Sequence, residues 1–226
     1  MSLIEPVRAD VQHPGEVKKY SSTLRFWHWA NFIVISGSLI TVLINSTITD
    51  EGNIAKITKD ELTKAGLAIT GKQADAVSHA VSDSTWGVHI YFGYGLALLL
   101  LFRILLEFFQ LADQKFIRKI KSAYDQFQIT KKNREVARHE LTVKLIYGVF
   151  YLLLVIMVIT GLFLAFEDTF AAYRSIRHSV KNVHGFCMYI IIAFIIIHLA
   201  GVYLAERKKD GKGIVSDMIN GGSQNQ

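Results

Sequence analysis

The chain has 226 residues, of which 51% are hydrophobic, with a mean hydropathy of +0.29 and a formal net charge of +6. Its single cysteine, Cys187, excludes an intrachain disulfide and a set of thiolates around an iron-sulfur cluster. The apolar residues are gathered into blocks, so the positive charge belongs to the connections and does not indicate nucleic-acid binding. The first 24 residues contain no apolar stretch typical of a signal peptide, which predicts that the N-terminus stays where it is made.

Four apolar blocks of 20 or more residues follow one another along the chain. Each is long enough for a helix to cross about 30 Å of hydrocarbon. The blocks are apolar on all sides and carry aromatic and charged residues mainly near their ends, as lipid-embedded helices do. The sequence therefore predicts an all-α membrane protein, a bundle of four transmembrane helices with spans at about residues 26–48, 86–109, 143–166 and 183–204.

Lysine and arginine are unevenly distributed among the connections. The two tails and the connection between the second and third spans hold 16 of them, whereas the other two connections hold seven. Because basic residues accumulate on the cytoplasmic side, both termini are predicted to be cytoplasmic. This divides the chain into a mostly irregular tail at 1–24, a four-helix domain at 25–205 and a second tail at 206–226, which is predicted to fray.

The connection between the first two spans, about residues 48–85, is long for a helical bundle and indicates structure or a partner of its own. The stretch from Thr58 to Glu61 has the form of a capping box, which predicts the start of a helix, and residues 74–81 could form another short helix. Its six acidic residues outnumber its four lysines, so we expect a mildly acidic outer cap. His79 is interpreted as a solvated loop residue.

The fourth block contains two histidines, His184 and His198, that are 14 residues apart. Fourteen residues are close to four helical turns, so both side chains are predicted to lie on one helix face, about 21 Å apart along the axis. Burying an ionisable side chain in hydrocarbon is unfavourable unless the group is paired or coordinated. One helix would therefore offer two ligands at two membrane depths.

Two further histidines match these depths. His28 lies at the inner end of the first span, as His198 lies in the inner half of the fourth, and His89 lies at the outer end of the second span, as His184 does in the fourth. The third span contains no histidine and is predicted to be scaffold. Depth therefore predicts two pairs, His28 with His198 and His89 with His184.

Two imidazoles in each pair favour an iron that is held from both faces. Two axial imidazoles saturate a haem iron and leave no position for a substrate, which favours electron transfer. A zinc or copper site needs three or four converging ligands, whereas these histidines divide between two depths. The alternative is a membrane anchor without redox function, in which the histidines form hydrogen bonds to neighbouring helices; it predicts a colourless protein.

Arg103 follows His89 by 14 residues and is predicted to lie on the same helix face at inner depth. It could form an ion pair with Glu107, one helical turn further on, or bind a carboxylate of a cofactor. The sequence leaves both interpretations open.

The motifs around these residues resemble those of the bacterial cytochrome b561 superfamily over roughly residues 20–222. They are Leu24-Arg-Phe-Trp-His-Trp-Ala-Asn31, Gly87-Val-His-Ile-Tyr-Phe-Gly-Tyr94, Leu101-Phe-Arg-Ile104, Met157-Val-Ile-Thr-Gly-Leu162, His184-Gly-Phe186 and Ile197-His-Leu-Ala-Gly-Val-Tyr203. Within the superfamily they look most like the b-type cytochrome subunit of membrane-bound nickel-iron hydrogenases, and more distantly like that of formate dehydrogenase.

The resemblance implies two non-covalent b haems, with His28 and His198 as the iron ligands on the cytoplasmic side and His89 and His184 as those on the outer side. It also implies a multi-pass protein of the bacterial inner membrane that transfers electrons between an outer-face iron-sulfur subunit, that of a hydrogenase above all, and quinone. Such a protein is an electron-transfer subunit rather than a catalytic one.

Two other functions stay open at this point. Stand-alone cytochromes of the superfamily oxidise superoxide at the outer face and reduce quinone, and a basic outer surface would favour this because it attracts an anion. The protein could also be the cytochrome subunit of another dehydrogenase, such as formate dehydrogenase. The long and mildly acidic first connection favours a docked protein partner.

Overall fold

The structure, a computed structural model, describes residues 22–109, 116–129, 134–207 and 213–221. Within these ranges the chain is almost entirely helical. The helices are α1 (Ser22–Thr47), α2 (Glu51–Lys64), α3 (Gly71–Phe109), α4 (Phe116–Ile129), α5 (Arg134–Ala165), a 3₁₀ helix (Ala171–Ile176), α6 (Arg177–Glu206) and α7 (Ile214–Asn220).

Four of these helices, α1, α3, α5 and α6, are long and apolar enough to cross a membrane. In the most apolar 18-residue window of each, only 6–17% of the residues are buried inside the protein. Exposing this much apolar surface to water would be unfavourable by about 25 cal/mol for every Å². The chain is therefore a multi-pass membrane protein whose helices present apolar side chains to lipid, and the four predicted spans fall on these four helices.

The described chain divides into two compact units. The first unit contains the beginning of α1, up to His28, and the described residues from Leu100 onward. In it α5 packs against α4 and α6, and α6 also contacts the 3₁₀ helix and α7. Leu154 of α5 and Ile191 of α6 are buried.

The second unit runs from Trp29 to Leu99 and contains the rest of α1, α2 and most of α3. Its two long helix segments approach closely at Gly37 of α1, where an added Cβ would lie only 2.3 Å from the ring of Phe92 on α3. Towards the ends of the same segments, the hydroxyl of Ser82 donates to Asn45 Oδ1 at 3.1 Å. Small and polar side chains thus allow α1 and α3 to pack together in this unit.

The predicted capping box at Thr58 is wrong, because Thr58 and Glu61 lie inside α2. That helix begins earlier, where the carboxylate of Asp50 accepts a hydrogen bond from the backbone N–H of Asn53 at 3.1 Å. A capping box does occur at the start of α3, where Gln73 Oε1 accepts from the backbone N–H of Thr70 at 2.8 Å.

The segment at 74–81 is not a separate short helix, because it belongs to the first turns of α3. Helix α3 is therefore 39 residues long and extends about 20 Å beyond the predicted start of the second span. With α2, this extension gives the connection between the first two spans an ordered helical structure.

The C-terminal tail does not fray at residues 213–221, where the structure contains α7. The carboxylate of Glu206 accepts hydrogen bonds from the backbone N–H groups of Gly213 and Ile214, at 2.7 and 3.0 Å. At the other end of α7, the guanidinium of Arg25 donates to the carbonyl of Ile219. Residues 208–212 and 222–226, and residues 1–21 of the predicted N-terminal tail, lie outside the described ranges.

Candidate functional site

His28 of α1 and His198 of α6 come together in the first unit. The centroids of their imidazole rings are 6.4 Å apart, and the ring planes are inclined at 55°. Two imidazoles that bind one metal ion from opposite sides, with metal–nitrogen bonds of about 2 Å, have ring centres roughly 6 Å apart. The separation of this pair therefore fits a metal ion held between the two rings.

Aromatic side chains surround His198. The ring of Phe194 lies parallel to the imidazole at 5.9 Å, with an interplanar angle of 6°, and the ring of Tyr147 meets it edge-on at 6.4 Å. Phe194 is itself stacked on Phe150 at 4.3 Å. Phe194 lies one helical turn before His198 on α6, and Tyr147 and Phe150 lie on the neighbouring helix α5. Together these rings provide aromatic packing for the imidazole.

Arg103, whose side chain is 12% exposed, forms the ion pair with Glu107 that the sequence suggested, at 3.5 Å. Its Nε also donates to the hydroxyl of Tyr151 at 3.2 Å, and its guanidinium lies 5.7 Å from the centroid of that ring. Tyr151 stacks on Trp27, which precedes His28 in the chain. A contiguous set of side chains therefore connects Arg103 to the neighbour of His28.

His184 is anchored by α5. The oxygen Oγ1 of Thr160 lies 2.8 Å from His184 Nδ1, and the same hydroxyl donates to the carbonyl of Ile156 at 2.6 Å. The next residue, Gly161, leaves room for the ring, because an added Cβ would come within 3.3 Å of His184 Cε1. Thr160 and Gly161 together fix where this imidazole lies.

His89 is anchored in the same way by α1 in the second unit. Thr41 Oγ1 lies 3.0 Å from His89 Nδ1, and its hydroxyl donates to the carbonyl of Ser38 at 2.6 Å. Both the carbonyl oxygen and the hydroxyl of Ser38 are 3.3 Å from the same nitrogen. The ring of Trp86 packs edge-on against the imidazole at 5.4 Å.

These hydrogen bonds assign the tautomer of both rings. A threonine hydroxyl has one proton, and at Thr41 and Thr160 it is donated to a backbone carbonyl, so the oxygen can only accept from the histidine. The proton of each imidazole is therefore on Nδ1, and its lone pair is on Nε2. A hydrogen bond from one ring nitrogen that leaves the other as the electron donor is typical of metal-binding histidines.

Two further histidines, His79 and His178, lie at exposed positions. His79, predicted as a solvated loop residue, is exposed but lies on α3, where its Nδ1 is 3.2 Å from a carboxylate oxygen of Glu51. His178 is exposed in the first turn of α6. In the described part of the chain, no three His, Cys, Asp or Glu side chains cluster as they would around a zinc ion.

Sequence reasoning missed the two threonines that hold the anchored histidines, and it assigned Gly161 to close helix packing without predicting its contact with His184. A signal was present, since Thr41 and Thr160 are polar residues inside apolar blocks, where a hydroxyl needs a partner. The sequence does not say which partner each has, because an intrahelical carbonyl would also satisfy a hydroxyl.

Comparison with known families accounts for most of the chain. The model of the prokaryotic cytochrome b561 family matches residues 19–221. The protein belongs to this family of membrane-bound b-type cytochromes, which bind haem b and transfer electrons. Comparisons with curated proteins and with solved structures give no match.

Proposed function

We propose that this cytochrome binds two b haems, one between His28 and His198 and one between His89 and His184, and transfers electrons across the bacterial inner membrane. The observation that carries the proposal is the 6.4 Å separation of the first two rings. The Nδ1–H tautomers of His89 and His184 support the second site, because each has its lone pair on the nitrogen that usually ligates haem iron. The pairing of these two histidines is taken from their equal depth in the sequence.

When bound, haem b supplies reversible one-electron chemistry, and two histidine ligands leave its iron without a site for substrate. The protein residues provide the surroundings of that chemistry. Phe194 and Tyr147 hold His198 in apolar contact, which restricts rotation of the ring. The proposed role of Arg103 is to bind a haem carboxylate. Its guanidinium has five N–H donors, so it can bind this group in addition to Tyr151 and Glu107.

We infer that the electrons come from an iron-sulfur subunit docked on the outer face, in the first instance that of a nickel-iron hydrogenase, and pass to quinone at the cytoplasmic side. Two electrons and two protons convert one quinone into one quinol. The ordered pair of α2 and the first turns of α3 supports a docked partner, because it gives the outer side a folded, mildly acidic surface. The same arrangement would serve another dehydrogenase, such as formate dehydrogenase.

A second candidate function is superoxide oxidation coupled to quinone reduction. It is favoured by basic residues at the start of α6 and just before it, where Arg174, His178 and Lys181 are exposed. This cluster would attract an anion. Arg177 in the same stretch is paired with Glu167 at 2.7 Å, which reduces the positive charge available there.

The first experiment counts haem in the purified chain by pyridine haemochrome and records the reduced-minus-oxidised spectrum. We expect about two b haems for each polypeptide and about one in His198→Ala. His178→Ala is the matched control, since it removes an exposed imidazole from the same helix and should keep both haems. A folded, colourless wild-type protein would exclude the proposal and leave the non-redox anchor.

A second experiment distinguishes the electron donors. Inverted or right-side-out membrane vesicles that contain the chain with a nickel-iron hydrogenase should show haem reduction on addition of hydrogen, which reverses when quinone is added. Reduction of the purified chain by a superoxide source, without any partner, would instead support the superoxide function. Loss of this superoxide-dependent reduction in the double variant Arg174→Glu, Lys181→Glu would assign the activity to the basic cluster.

A further inference from the structure

The two anchored histidines share one arrangement, although they lie in different units. In each, a threonine on another helix donates a hydrogen bond from its hydroxyl to a carbonyl of its own helix. The same hydroxyl oxygen accepts a hydrogen bond from the Nδ1–H of the imidazole. The threonine is buried at position 41, where 6% of its surface is exposed, and half-buried at position 160. A hydrogen bond in such surroundings is strengthened by the low local dielectric.

Such a bond has an electronic consequence for a metal ligand. An acceptor at Nδ1–H increases the electron density of the ring and makes Nε2 a stronger donor. A stronger donor favours the ferric over the ferrous iron, which lowers the midpoint potential. The His198 ring, by contrast, packs against Phe194 and Tyr147, whose faces are weak acceptors.

We propose that Thr41 and Thr160 are positioning residues that lower the midpoint potential of the haem held by His89 and His184, and so set its potential apart from that of the haem held by His28 and His198. This inference depends on the proposed function, because it requires these histidines to be iron ligands. It assigns a role to two side chains that do not touch the iron.

The test compares Thr160→Val with Thr160→Ser, and Thr41→Val with Thr41→Ser, in the full chain with its haems bound. Valine keeps the shape of threonine and removes the hydroxyl, whereas serine keeps the hydroxyl. A potentiometric titration resolves the two haem components. We expect each valine variant to raise the midpoint potential of the same haem component by about 59 mV, which is roughly a tenfold change in the equilibrium constant for one-electron reduction. Each serine variant should keep a midpoint potential near that of the wild type.

The control is Thr47→Val, also on α1. Its hydroxyl donates to the carbonyl of Leu43 at 2.6 Å on the exposed side of the helix, so its removal should leave both potentials unchanged. If a valine variant releases one haem, retention of that haem in the corresponding serine variant supports the same role. Nitrogen NMR of isotopically labelled histidine gives a readout that is independent of potential, because the protonated nitrogen of each imidazole is directly visible.

The outcomes separate this inference from the proposed function. A wild-type chain without haem overturns both. Two haems with unmoved potentials in the valine variants overturn the role of the threonines alone, as does a serine variant that behaves like valine. A shift of different components in the Thr41 and Thr160 variants would show that the two threonines act on different haems, and would overturn the inference of a shared centre.

Discussion

The four proposed haem ligands are held in two chemically different ways. His89 and His184 each contact a threonine hydroxyl that is hydrogen-bonded in turn to a backbone carbonyl. The rings of His28 and His198 lie 6.4 Å apart, and the rings of Phe194 and Tyr147 pack against that of His198. Hydrogen bonds have direction and fix which nitrogen carries the proton, whereas ring packing fixes the plane of an imidazole without choosing its tautomer.

Such a difference would allow one protein to give the two proposed haems different properties. An electron moves in one direction between two haems only if their potentials are suitable, and identical surroundings would make them equal. Changing the second contact of the ligand, from a hydroxyl to an aromatic face, alters the donor strength of the imidazole and keeps the ligand itself. The four predictions that follow test this comparison, beginning with the largest effect.

The pairing itself is tested by removing ligands one at a time. His28→Ala and His198→Ala should each abolish the same spectroscopic component, because a haem that loses one of two axial ligands is held weakly. His184→Ala should abolish the other component. The measurement is a low-temperature absorption or electron paramagnetic resonance spectrum of each purified variant. Loss of different components in His28→Ala and His198→Ala would contradict the pairing, because the two rings that lie 6.4 Å apart would then not bind the same iron.

The approach of α1 and α3 beside His89 is tested with Gly37→Ala. The added Cβ would lie 2.3 Å from the ring of Phe92, which is one turn from His89, so the ring or the helix must move. We expect a destabilisation of about 1–3 kcal/mol, as for other overpacked interiors. Thermal unfolding in detergent, followed by circular dichroism and by release of haem, measures it.

Gly95→Ala is the matched control, because it changes the same residue type at the same pair of helices. There the added Cβ would make an ordinary contact of 3.5 Å with Val34, and we expect little change in stability. Equal effects of the two substitutions would show that helix propensity, rather than the close approach at Gly37, determines the result.

The aromatic surroundings of the other pair are tested with Phe194→Leu. Leucine fills most of the volume and removes the ring stacked on Phe150 and parallel to His198. We expect a loss of about 0.5–1.5 kcal/mol beyond the change in buried area, with a potential shift confined to the haem of His28 and His198. Phe186→Leu, at a ring that is 66% exposed on the same helix, is the control. A shift of the other component would contradict the separation of the two environments.

The sequence predicted more of the membrane architecture than of the connections. Four apolar blocks predict four membrane helices because hydrocarbon admits few other backbone structures. The connections obey weaker rules, and a motif of the form Thr-x-x-Glu/Gln occurs both at Thr58, inside α2, and at Thr70, where it caps α3. Thr58 does not cap a helix because α2 already begins at Glu51, where the carboxylate of Asp50 is the N-terminal cap.

For the site, the sequence predicted the four histidines and Arg103 but not their second contacts. Depth and helical spacing can be read along one helix, so the position of His198 on the face of His184 follows from their spacing. The partner of a hydroxyl lies on another helix, and helix rotation depends on packing details such as the space left by Gly161. The ion pair of Arg103 with Glu107 is intrahelical and was one of the two interpretations that the sequence left open, whereas its bond to Tyr151 on α5 was not predicted.

That bond gives the smallest of the four effects. Tyr151→Phe removes the hydroxyl that accepts from Arg103 Nε at 3.2 Å and keeps the ring that stacks on Trp27. Arg103 keeps Glu107, so we expect a loss of at most about 1 kcal/mol, and both haems should remain. The midpoint of the haem of His28 and His198 is the decisive measurement, with Tyr189→Phe, at an exposed ring, as control. If Arg103 also binds a carboxylate of that haem, its guanidinium is freer to do so in the variant. Closer neutralisation of that negative charge then disfavours the ferric iron and raises the potential. An unchanged potential would limit Arg103 to its ion pair with Glu107.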